Sequence, residues 1–175
     1  MKDFEINDIE TNNKVLNESD SLSYKSSKNI MKRLKKNFTE KDCIDVSLDL
    51  IVQYIDECMK NNTFFDGILG FSQGAQMVTR LLHTYQNKEI PLPFKFAVLI
   101  GGVPPKEINE NSVDIDSLHI YGKSDPAYEK SKILEKIYNN QRSLVLEHDE
   151  GHNIPSINTN IYSAIKEWLY YKSSK

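Results

Sequence analysis

The stretch that decides the fold reads Asp66-Gly67-Ile68-Leu69-Gly70-Phe71-Ser72-Gln73-Gly74-Ala75-Gln76. A short apolar run enters Gly-x-Ser-x-Gly, and Ala75, Val78, Leu82 and Tyr85 follow at helical spacing. A strand therefore turns into a helix with a serine at the corner, the form of a nucleophile elbow. Gly70 and Gly74 let the two elements approach without Cβ clashes, and the tight turn strains Ser72 so that its hydroxyl projects freely. At the helix start, the backbone N–H of Gln73 points to where an oxyanion would form. Chance explains the pattern poorly, since at ordinary Gly and Ser usage three fixed positions recur about 0.06 times in a chain this long.

Outward from the elbow, the pattern predicts one α/β domain. Upstream, Ile51, Tyr54, Ile55 and Cys58 mark a helix from about Val46 to Lys60, with Asp45 or Ser47 as its cap, and Phe64 to Phe71 supplies the strand into Ser72. The helix after the elbow ends near Gln86, before Pro91 and Pro93. Phe96-Ala97-Val98-Leu99-Ile100, closed by Gly101-Gly102, suits a strand buried on both faces. Leu118 to Tyr121 makes the next strand, Ile133, Leu134 and Ile137 a helix, Leu144 to Leu146 a strand, and Ile161 to Leu169 a terminal helix. The order α-β-α-β-β-α-β-α indicates an open, mostly parallel sheet flanked by helices in three α/β/α layers over residues 44–172. Residues 1–43 are polar, with scattered apolar positions, and read as a weakly ordered segment. The basic run Lys32-Arg33-Leu34-Lys35-Lys36 within it reads as a solvated face.

Bulk properties narrow the function classes. The 175 residues suffice for one ordinary domain with a real core, and a net charge of -3 argues against nucleic acid or anionic membrane as partner. No apolar run approaches the length of a membrane span. Cys43 and Cys58 lack metal-ligand spacing and read as reduced thiols, which suggests a cytoplasmic setting. No metal or cofactor is called for by the chemistry below.

In such sheets reactive groups gather at the carboxyl ends of strands. Gly122-Lys123-Ser124-Asp125-Pro126 follows one strand and offers a carboxylate; Glu147-His148-Asp149-Glu150-Gly151-His152 follows the last and offers an imidazole. Ser72 as nucleophile, His152 as base and Asp125 as orienting acid form the expected catalytic set. His152 is preferred to His148 because a loop histidine beside Gly151 reaches inward more easily. His119, mid-strand, reads as packing, and His83 as a helix-surface residue. Asp116 and Asp149 are rival acids, but neither stands just past a strand end in a loop shaped by glycine and proline.

These pieces resemble the FSH-type serine hydrolases, a branch of the α/β-hydrolase superfamily. The resemblance is carried by Phe65 to Ala75, Phe94 to Gly102, Tyr121 to Asp125 and Glu147 to Pro155, and covers about Ile44 to Trp168. Serine, acid and histidine also occur in the order α/β-hydrolases use. The resemblance implies hydrolysis of a small or medium carboxylic ester or thioester through an acyl-enzyme on Ser72. Acyl-protein thioesterases and bacterial carboxylesterases carry a similar Gly-Phe-Ser-Gln-Gly. Members of the family begin with a strand and a His-Gly loop that supplies a second oxyanion donor, whereas this chain has no glycine before Gly67. The fold is accordingly expected to be N-terminally incomplete or to have residues 1–43 in that place, with activity impaired. A degenerate, non-catalytic binding protein of the same fold is the alternative. Acyl preference is expected to reside in the loops Gly102 to Ser117 and Asn153 to Asn160.

Overall fold

The computed structural model describes residues 39–157 and 159–174; the basic run 32–36 and nearly all of the polar segment 1–43 lie outside them. The chain divides into two compact units, Met1–Asp45 and Val46–Lys175, and the second contains the whole sheet. Among the described residues the elements are α1 (Glu40–Lys60), β1 (Gly67–Phe71), α2 (Gln73–Asn87), β2 (Phe96–Ile100), β3 (Asp116–Gly122), α3 (Tyr128–Glu135), β4 (Ser143–His148) and α4 (Asn160–Ser173). The four strands are all parallel and lie in chain order, β1-β2-β3-β4.

Two boundaries differ from the sequence expectation, each for a local reason. Helix α1 begins six residues before Val46, so Asp45 and Ser47 lie inside it rather than capping it. The cap is Thr39: its hydroxyl accepts the Asp42 N–H at 3.2 Å while the Asp42 carboxylate accepts the Thr39 N–H at 2.8 Å. This is a capping box closed by Asp instead of Glu. Strand β1 begins at Gly67 and not at Phe64. Its register pairs Gly67 with Phe96, which would set Phe64 against Pro93, and proline has no N–H to extend a ladder.

Alternation along β2 divides the core. Ala97 and Leu99 join a large apolar cluster with Ile55 of α1, Ala75, Val78, Leu81, Leu82 and Tyr85 of α2, and Leu134 of α3. Phe96, Val98 and Ile100 face the other way, meeting Leu118 and Ile120 of β3 and, at its margin, Leu146, Ile165, Trp168 and Leu169. Both faces of β2 are thus covered, which is why its sequence is a continuous apolar run. On the first face β3 presents His119, buried and edge-on to Tyr138 at 4.8 Å. Burial pushes the His119 imidazole down to about 3, so it packs as a neutral ring.

Strand β1 is different. Among the described strands it pairs only with β2. Its register places Leu69 and Phe71 on the same side as Val98 and Ile100. There the two side chains are 58% and 37% exposed.

Candidate active site

At Ser72 the chain turns from β1 directly into α2. Ser72 stands between β1 and α2 with φ 54° and ψ −117°, a left-handed conformation that costs a non-glycine residue roughly 1–3 kcal/mol. Its N–H donates to the Ile100 carbonyl at 2.8 Å, which fastens the corner to β2. Although Ser72 occupies the N-cap position, its side chain makes no cap hydrogen bond, so Oγ is left for other partners. The flanking glycines are not equivalent. A Cβ on Gly70 would lie 2.5 Å from backbone atoms of Gly74 and Ala75, whereas one on Gly74 would meet nothing within 4 Å. Only Gly70 is sterically required for strand and helix to approach. Gln73 is the first residue of α2, where N–H groups lack intrahelical acceptors and the helix dipole is positive.

Asp125 and His152 come from the loops after β3 and β4. His152 Nδ1 lies 2.6 Å from Asp125 Oδ2, and His152 Nε2 lies 2.9 Å from Ser72 Oγ. A carboxylate oxygen only accepts, so Nδ1 carries the proton and Nε2 presents its lone pair to the serine hydroxyl. The second Asp125 oxygen accepts the Ala127 N–H at 2.7 Å, and the side chain is nearly inaccessible to water. His152 is half-exposed.

The two loops hold each other. The Lys123 N–H donates to the His148 carbonyl at 2.7 Å, the Ser124 N–H to Glu150 at 3.2 Å, and the Ser124 hydroxyl to the Asp149 carbonyl at 3.0 Å. Where they cross, a Cβ on Gly122 would fall far inside contact distance of the Glu150 and Gly151 carbonyl oxygens, so only glycine fits. The Glu150 carboxylate accepts from the Asn153 amide at 2.5 Å, bracing the turn that carries His152.

The rival residues lie elsewhere. His148 is buried at the end of β4 and is not part of the Ser72–His152–Asp125 chain of contacts. Asp116 binds Arg142 at 3.0 Å and Lys172 at 2.7 Å; burial raises its carboxyl, and those bonds outweigh burial and hold it below the usual range. Asp149 pairs with Lys123 at the surface.

The family model described as serine hydrolase (FSH1) matches residues 4–163. This chain belongs to the FSH1 serine hydrolase family. The match extends some sixty residues upstream of the motifs that carry the resemblance in the sequence. Among relatives of this FSH1-family chain, an esterase of Caenorhabditis elegans is 34% identical over 120 residues, spanning 63% of this chain and 52% of that protein. A rhodanese-like domain-containing protein 6 of Arabidopsis thaliana is 33% identical over 132 residues, spanning 70% and 22%. The chain thus spans about half the length, or less, of these relatives. A Bacillus cereus carboxylesterase has a similar fold, with TM-score 0.56 at 20% identity, covering 78% of this chain and 65% of that one.

Two contacts at the site have no sequence signal. The Phe71 ring packs against the His152 ring, centroids 5.0 Å apart and planes tilted by 35°. Gly101 adopts φ +52°, and a Cβ there would lie 3.1 Å from Cε1 and Nδ1 of His152. In the sequence Gly101 only closes a strand, and Phe71 is the variable position of the elbow. Among the described residues Cys43 and Cys58 form no disulfide, no group of three ligand-type side chains could hold a metal, and no helix is long and apolar enough to cross a membrane.

Proposed function

We propose that this chain is a serine hydrolase that cleaves carboxylic ester or thioester bonds through an acyl-enzyme on Ser72. The observation that carries the reading is the unbroken relay from Ser72 Oγ through His152 to Asp125, at 2.9 and 2.6 Å. Ser72 Oγ attacks the acyl carbon as its proton passes to His152 Nε2, and Asp125 stabilises the imidazolium so formed. The carbonyl oxygen, now an anion, is met by the Gln73 N–H at the start of α2. Collapse of the tetrahedral intermediate breaks the bond to the alcohol or thiol, which leaves with the proton from His152. Water then repeats the sequence on the acyl-enzyme, giving the acid and free Ser72.

A fluorophosphonate probe tests this reading, because it reacts only with an activated serine. Labelling is expected on Ser72 and lost in Ser72→Ala, and p-nitrophenyl ester turnover is expected to vanish in His152→Ala. Folded protein that neither labels nor turns over ester would favour a non-catalytic binding protein on the same scaffold, a reading to which the pairing of β1 with β2 alone among the described strands gives some support.

A further inference from the structure

We infer that Phe71 is a positioning residue that keeps the His152 imidazole in line with both Ser72 and Asp125. The inference rests on the relay proposed above. Hydrogen bonds at Nδ1 and Nε2 act in the plane of the imidazole and place nothing against its faces. Packing on a face limits how far the ring can tilt out of line with both partners, and the contact that supplies it is the Phe71 ring; Gly101 lies at hand as well, placed so that a Cβ there would come within 3.1 Å of the imidazole.

Phe71 is not held there by core packing. Among the described residues it belongs to neither apolar cluster, remains 37% exposed, and has its ring against the imidazole. A phenylalanine left half in water beside a titratable ring is better explained by what it does for that ring than by hydrophobic burial. It also directly precedes Ser72, so the surface that orients the base and the oxygen that gives up its proton move as one unit. When the proton reaches His152, the aromatic face lies close to a new positive charge, which such faces attract.

The test uses the whole chain and p-nitrophenyl butyrate, with Phe71→Leu and Phe71→Tyr compared to the unsubstituted protein. Phe71→Leu is expected to lower kcat roughly three- to ten-fold, from lost imidazolium stabilisation and looser ring placement. KM should stay within about two-fold if the ring acts through the imidazole and not on the substrate, and the unfolding midpoint should not move, because among the described residues the ring belongs to neither apolar cluster. Phe71→Tyr should recover most of kcat. An unchanged kcat in Phe71→Leu, a loss carried by KM, or a tyrosine variant as slow as leucine would overturn the inference. Where turnover is too slow to resolve, the fluorophosphonate labelling rate replaces kcat with the same expectations. Ser72→Ala run alongside separates the two claims. If it is inert while Phe71→Leu is unimpaired, only the role of Phe71 fails; turnover that survives Ser72→Ala removes the relay and this inference together.

Discussion

Asp125 and His152 sit on loops tied to each other through the backbone of Lys123 and Ser124 and the hydroxyl of Ser124, while Ser72 stands at the end of a strand whose outer residues Leu69 and Phe71 face solvent. The positions of Asp125 and His152 are over-determined, since several bonds repeat the same constraint. Ser72 is fixed by a strained turn, by its N–H bond to Ile100 and by the Ala75 N–H bond to its carbonyl within the same turn. Damage should accordingly be graded by whether a substitution moves backbone in the loop crossing, crowds the junction with the nucleophile, or trims a redundant tie.

Gly122→Ala should do most harm, because its Cβ collides with two carbonyl oxygens that cannot rotate away. Overpacking of this kind costs about 1–3 kcal/mol, and a shift of about 1 Å in Asp125 relative to His152 can lower turnover about a hundred-fold. Chemical denaturation and ester turnover should both register it. Gly101→Ala should separate the two readouts. A left-handed alanine costs roughly 1–2 kcal/mol, so stability falls modestly, while a methyl 3.1 Å from the imidazole displaces the ring and turnover drops by about ten-fold or more. Equal activity in Gly101→Ala and the parent chain would mean that the base is not confined from that side. Ser124→Ala removes one tie of several and should cost about 0.5–1.5 kcal/mol, toward the low end at this exposed position, with turnover within about three-fold. Lys123→Ala breaks only the surface pair with Asp149, and neither the denaturation midpoint nor turnover should change measurably. A large loss there would show that the redundancy is less than described.

The parts legible in the sequence are those whose physics is local. The elbow could be read because glycine spacing and apolar periodicity are written within a few residues of Ser72. Strand β2 could be read because burial on both faces leaves an uninterrupted apolar run. The start of α1 was misplaced because an Asp in the capping box is a weaker signal than Glu, and because α1's first turn is polar. Phe71 against His152, and Gly101 beside it, depend on approaches between residues 81 and 51 positions apart in the chain, and no local pattern encodes those. The glycine of the Tyr121-Gly122 pair looked like a turn residue; its real constraint is a carbonyl nearly thirty residues downstream.

Because the strands lie side by side in the order of synthesis, the reactive groups are added to one rim in sequence as the chain emerges: the alcohol first, then the carboxylate, and the imidazole last. Domains generally begin to fold while the ribosome is still extending them. By the mechanism proposed above, Ser72 in a nascent chain therefore stays inert until β4 docks and brings His152 within reach of it.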